Sequence, residues 1–289
     1  MKNLSRFVMG VLVFTLAVFS FGFVAGEVVL QKKLDIVKQR IPNQWWNGGW
    51  DEEADLQDII AQSGKDKSQK AQAQYYIAGQ YYSNREHQKA LQEYRKLIKD
   101  YPDAWLECQK AQFEIGQINL YRLNEPEEAI YEYRKIIDNY ENSFMKPKAQ
   151  LMIARAYRKQ QQYDSALKEY SKVLELYPEY SSEVTETHLD IAEMKIVQAV
   201  LPGVSAVEKE TLLNQAILSF KKAYEICPLN HPEFMERALD GVCRAFRCLD
   251  MNLVRANNFV KFQKYGAAGA DGTEGTDDDL INPLEEIKS

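Results

Sequence analysis

Ala90-Leu-Gln-Glu-Tyr94-Arg-Lys-Leu97-Ile-Lys-Asp-Tyr101-Pro102 decides the reading, because three later stretches repeat its spacing. They are Ala129-Ile-Tyr-Glu-Tyr133-Arg-Lys-Ile136-Ile-Asp-Asn-Tyr140, Ala166-Leu-Lys-Glu-Tyr170-Ser-Lys-Val173-Leu-Glu-Leu-Tyr177-Pro178 and Ala216-Ile-Leu-Ser-Phe220-Lys-Lys-Ala223-Tyr-Glu-Ile-Cys227-Pro228. A small, an aromatic and an apolar residue recur at i, i+4 and i+7, which is one face of an α-helix. In three of the four, proline follows the last residue of the pattern and stops the helix, since it lacks the N–H and clashes with the preceding turn.

Each stretch follows a second helical pattern. Tyr75-Tyr-Ile77-Ala78-Gly79-Gln-Tyr81-Tyr82 precedes the first, and Leu151-Met-Ile153-Ala154-Arg-Ala156-Tyr157 precedes the third. Ala78 and Ala90, like Ala154 and Ala166, are small where two antiparallel helices must approach closely. The second unit carries Ile115-Gly116 and Ala129 with one extra residue in its turn. The fourth carries Ile191-Ala192 and Ala216, separated by an insertion containing Leu201-Pro202-Gly203. This order of small, aromatic, turn, small, aromatic and proline resembles the tetratricopeptide repeat (TPR), except that Gln74 and Gln150 stand at the leading tryptophan position. The aromatics at 94, 133, 170 and 220 are 39, 37 and 50 residues apart, longer steps than the usual 34 or so. Together with the Tyr-Pro endings, they resemble the bacterial periplasmic and outer-membrane subclass, that of Tol-associated coordinator and barrel-assembly lipoproteins.

The resemblance implies an all-α solenoid of antiparallel helix pairs over 71–265, with about four repeats and a degenerate capping pair from Glu233 to Tyr265. It further implies that the first helix of each pair lines a groove for a partner protein. Carried over unit by unit, that face holds Gln72, Tyr75, Gly79 and Tyr82, then Lys110, Phe113, Gln117 and Leu120, then Lys148, Leu151, Arg155 and Arg158. The cations among them suit a partner's carboxylates through charge-assisted hydrogen bonds. The competing reading pairs them with neighbouring glutamates of the same chain.

The remaining composition narrows the function. Of 289 residues, 45% are hydrophobic and 27% charged, enough for one or two ordinary cores. The net charge of −6 argues against a nucleic-acid binder relying on a basic field. No Gly-rich phosphate loop follows a strand, and no nucleophile–base constellation is visible. Cys227-Pro-Leu-Asn-His231 offers two ligands, which is too few for zinc. A non-enzymatic chain without a resident cofactor is expected. The cysteines allow a bridge from Cys227 or four free thiols, and oligomeric state is open.

Lys2 and Arg6 precede an uncharged run from Phe7 to Gly26, long enough to cross a bilayer. Residues 1–26 therefore read as a membrane anchor or a cleaved signal peptide, with the body outside the cytoplasm and periplasmic. Residues 27–70 contain a helical stretch, Val28 to Arg40, and a loop with Trp45, Trp46 and Trp50. These tryptophans suit a plug for the open end of the repeats, a partner site, or a grip on glycan or lipid at an interface. Residues 266–289 form a Gly/Asp tail with seven acidic residues against one basic. Asp271, Asp277, Asp278 and Asp279 offer hard oxygens for calcium, without the EF-hand spacing; the other reading is a solvated acidic tail. The expected function is a scaffold of the bacterial envelope that binds other envelope proteins, with a glycan- or lipid-handling accessory as the alternative.

Overall fold

A computed structural model describes residues 35, 52–62 and 66–249. The described residues are helical, with no strand among them. The chain divides into two compact units, Met1–Ser143 and Phe144–Ser289.

The first unit contains α1 (Glu52–Gln62), α2 (Lys67–Ser83), α3 (His87–Asp100), α4 (Trp105–Ile118), a π-helical turn (Asn119–Leu123) and α5 (Pro126–Asn139). Asp66 starts α2 by accepting from the backbone N–H groups of Ser68 and Gln69 at 2.9 and 3.2 Å, which satisfies two otherwise orphaned donors. Helices α2 and α3 pack through Ala78 and Ala90, both fully buried. Tyr94 and Leu97 extend that core to Cys108, Ala111 and Ile115 of α4. In the next pair, α4 and α5, Gly116 and Ala129 stand at the equivalent positions. Leu56 and Ile59 of α1 pack on Ala73 and Ile77, so a helix stands in the segment after the tryptophans where none is expected from sequence.

The second unit contains α6 (Lys146–Lys159), α7 (Tyr163–Leu176), α8 (Ser181–Ala199), α9 (Ala206–Ile226) and α10 (Pro232–Cys248). Ala154, Ala166, Tyr170 and Val173 form its first core with Ile191 and Met194. Ala192, Ala216, Phe220 and Ala223 form the second with Ala238, Val242 and Phe246. Each buried aromatic stabilises its pair by roughly 2–3 kcal/mol through area removed from water. The long fourth step lies in the helices, since α8 and α9 have 19 and 21 residues where α6 and α7 have 14 each. Leu201 to Val204 make only the turn between them, with Gly203 at φ 87°.

The turns inside the first three pairs share one device. Arg85, Asn124 and Gln161, each five residues before the alanine of the second helix, adopt φ of 64°, 59° and 60°. The next N–H then closes the turn, from Glu86 to Tyr81 O, Glu125 to Asn119 O and Gln162 to Tyr157 O, at 2.9, 2.7 and 3.0 Å. The extra residue of the α4–α5 pair corrects the sequence expectation. It is absorbed not in the loop but in the π-helical turn Asn119–Leu123, which widens the helix by one residue before the same left-handed stop.

A second device also recurs. Gln74, Gln112 and Gln150 each donate a side-chain N–H to a glutamate of the second helix: Glu93, Glu132 and Glu169. That glutamate also meets the lysine three residues on, Lys96 at 3.6 Å, Lys135 at 2.9 Å and Lys172 at 2.9 Å. An amide–carboxylate bond thus ties each of these three pairs at the position where tryptophan would lead the repeat.

Candidate functional site

In the first unit the predicted face is built from α2 and α4. The Tyr75 hydroxyl donates to Glu114 Oε1 at 3.4 Å, and its ring lies 5.5 Å from that of Tyr94. Burial, reinforced by Glu114, pushes the Tyr75 phenol well above its ordinary range. The Tyr82 hydroxyl accepts two bonds from Arg122, from Nε at 3.0 Å and from a terminal nitrogen at 2.8 Å. The guanidinium carbon also stands 5.3 Å from the Tyr82 ring centroid. Tyr75, Tyr82 and Arg122 therefore form a partly open aromatic and cationic surface, with Lys110 half-buried on the same helix as Glu114.

Two predicted groove residues of this unit are misplaced. Phe113 is buried with its ring 5.4 Å from that of Tyr133, and Leu120 is fully buried. The π-helical turn is the reason for the second. One extra residue turns the helical register, carrying Leu120 into the core and bringing Arg122 to Tyr82. Arg122 was not legible from a regular 3.6-residue period; the extra residue between Ile115 and Ala129 was the only signal of it.

In the second unit Lys148 is exposed at the start of α6, while Leu151 is buried at 1% exposure and packs in the core rather than on an open face. Arg155 reaches across to α8, where Nε meets Asp190 Oδ2 at 2.5 Å and a terminal nitrogen meets Glu186 Oε2 at 2.5 Å. Asp190, only 1% exposed, also takes Arg237 of α10 at 2.9 Å and lies 3.7 Å from Arg158. Next to it, Arg244 bridges Glu193 and Asp240. Burial disfavours the Arg155 charge, but Asp190 and Glu186 outweigh it and hold the guanidinium charged. The intramolecular pairing is real for Arg155, and its acids come from another helix rather than from sequence neighbours. Arg158 and Arg237, about a third exposed, form the accessible edge of this cluster.

The four cysteines are free thiols. Cys227 Sγ lies 3.2 Å from the backbone carbonyl of His231, whose ring bonds Glu233 instead at 2.8 Å, so the pair does not converge on a metal. Among the described residues no group of three or more His, Cys, Asp or Glu is placed to hold a metal, and no helix is long and apolar enough to cross a membrane. The Phe7–Gly26 run, Trp45, Trp46, Trp50 and the tail carboxylates Asp271, Asp277, Asp278 and Asp279 lie outside the described residues.

Sequence models of the tetratricopeptide repeat match residues 81–144 and 147–180, the stretches that hold α3 to α5 and α6 to α7. These two stretches are tetratricopeptide repeats. No curated protein matches this chain. Solved structures similar to it include a single-substitution form of the nearly identical TPR-like repeats of a kinesin light chain from Podosopora anserina, at 14% identity and a TM-score of 0.49, over 71% of this chain and 97% of that one. Another is PilW, described as a widely conserved type IV pilus biogenesis factor, at 15% identity and a TM-score of 0.46, over 77% of this chain and 97% of that one. TPR domains as a class bind other proteins.

Proposed function

We propose that this TPR protein is a non-catalytic scaffold of the bacterial cell envelope, which holds a segment of another envelope protein against its first-helix faces. The observation that carries the reading is the Tyr75, Tyr82 and Arg122 surface of the first unit. Partly exposed tyrosines beside a guanidinium give large contact area at low entropic cost and one planar charge, the composition favoured at protein contacts. The envelope location and membrane tether rest on the Lys2 and Arg6 charges and the apolar run from Phe7 to Gly26.

Site-specific photo-crosslinking in the native membrane fraction tests it. A benzophenone side chain at position 82 should give one dominant protein adduct, and Arg122→Glu should remove it. The same probe at exposed Lys168 of α7, on a second helix, should give none. Equal adducts from both positions, or an adduct indifferent to Arg122→Glu, would overturn the reading.

A further inference from the structure

The fourth helix pair breaks the tie that the first three share. Counting three residues back from Ile77, Ile115, Ile153 and Ile191 gives Gln74, Gln112, Gln150 and His188. The residues before the paired aromatics are Glu93, Glu132, Glu169 and Ser219, and three residues further come Lys96, Lys135, Lys172 and Lys222. Three pairs thus place a carboxylate between a buried donor on the first helix and a lysine on the second. The fourth keeps both flanking groups and lacks the carboxylate.

The remaining groups are arranged accordingly. His188 of α8 is 9% exposed, and Lys222 of α9 is near enough to act on it electrostatically. Ser219 does not fill the gap, because its hydroxyl donates back to Gln215 O at 3.0 Å. Among the described residues no carboxylate ion-pairs Lys222. One turn before His188, the buried Thr185 hydroxyl has no hydrogen-bond partner.

The geometry points to a carboxylate-binding site between His188 and Lys222, where an incoming acid takes the place that Glu93, Glu132 and Glu169 hold in their own pairs. The internal copies supply the stereochemistry. A carboxylate there accepts from the first-helix side chain on one side and from the lysine ammonium on the other, both charge-assisted bonds. The half-buried setting strengthens such bonds relative to water. Desolvation, and secondarily Lys222, pushes the His188 imidazole down to about 4, so it is neutral until an anion arrives. A bound carboxylate reverses that balance and draws a proton onto the ring. The acid is a side chain of a protein segment or a small free carboxylic acid, and the site stands independently of the first-helix faces.

The test is side-chain NMR of the full chain with carbon-13-labelled histidine. Sodium acetate and the capped tripeptide Gly-Glu-Gly are titrated separately, each against sodium chloride at equal ionic strength. The His188 signal is identified by its loss in His188→Gln. The expected result is a saturable shift of that signal with carboxylate and none with chloride, and a titration midpoint that rises from about 4 towards the ordinary histidine value. Lys222→Ala, at an exposed position, should weaken the response at least tenfold. Ser219→Glu should raise the midpoint without added acid and abolish the response. Tighter binding of the tripeptide assigns the acid to a protein; tighter binding of acetate assigns it to a small molecule. A carboxylate response equal to that of chloride, or one unchanged in Lys222→Ala, overturns the proposal.

Discussion

The backbone of Gly116 lies against the ring of Tyr133, so that a Cβ added there would stand 2.5 Å from the ring carbon Cε1. The glycine is what lets the aromatic of α5 approach the backbone of α4 this closely. Gly241 does the same against Phe220, where a Cβ would stand far inside van der Waals contact with the ring carbons Cζ and Cε1. Gly116→Ala and Gly241→Ala should therefore each destabilise by about 1–3 kcal/mol through overpacking, although alanine is the better helix former. Urea melts of the two variants measure this, and Gly79→Ala is the control. Its added methyl would meet only the Tyr94 hydroxyl at 3.7 Å, and it should be neutral or stabilising.

The left-handed residues of the turns predict the opposite sign. Arg85 and Gln161 hold φ near 60° without the freedom of glycine, at a cost of roughly 1–2 kcal/mol each. Arg85→Gly and Gln161→Gly should raise stability by about 0.5–1 kcal/mol, the strain relieved less the entropy that glycine adds to the unfolded chain. Asn124→Gly should change little, because asparagine already tolerates this conformation. Melting curves of the three variants would falsify the account if all moved together.

Arg155 and Asp190 predict a structural cost for a surface-looking mutation. Truncating Arg155 to alanine leaves the buried Asp190 carboxylate with Arg237 and the more distant Arg158. The expected loss is about 3 kcal/mol, most of it the cost of an undercompensated buried charge. Arg158→Ala, at 3.7 Å from the same acid and more exposed, should cost under about 1 kcal/mol. Denaturant unfolding separates the two, and equal costs would mean that Asp190 is not the hub of the cluster.

His188 gives the chain a pH-dependent component of stability. Its folded value is about 4 against an ordinary 6.5, the result of desolvation and then of Lys222. The unfolded chain therefore binds a proton that the native chain refuses, and stability rises with pH through that window. The contribution is fully present above about pH 6.5, falls as pH drops towards 4, and levels off below it. The loss amounts to about 3 kcal/mol at most. Carboxylates titrate over part of the same range, so the measurement is the difference between the wild-type chain and His188→Gln, from pH 4 to 7.5. Parallel stability curves would show that the imidazole carries no such linkage.

The helix pairs were legible in the sequence because Ala90, Ala129, Ala166 and Ala216, with their aromatics four residues on, occupy contacts that admit few other shapes. The polar ties were not. Gln112, Glu132 and Asp190 are buried but look like solvent-facing positions in a hydrophobic period, since their burial is compensated by partners 20 or more residues away. Arg237 was hidden for the same reason. Helix α1 escaped because its apolar signal is a single turn, Leu56 to Ile60, next to a tryptophan-rich loop that suggested irregular chain. Of the expected groove, Tyr75, Tyr82 and Arg158 reach a surface, whereas Phe113 and Leu151 do not. Apolar residues on a first helix are divided among the two neighbouring helices and the outside, and spacing alone does not separate those three directions.

The π-helical turn at Asn119–Leu123 has a consequence for how such a protein can acquire a new specificity. One inserted residue left Ala129 and Tyr133 in their packing columns yet exchanged Leu120 for Arg122 at the side chain of Tyr82. A single-codon insertion or deletion near the end of a first helix can thus replace what a repeat displays while its main packing columns stay in place. Contact residues can then diversify by changes of length as well as by substitution, at a place where the alanine and aromatic columns of the repeat stay in register.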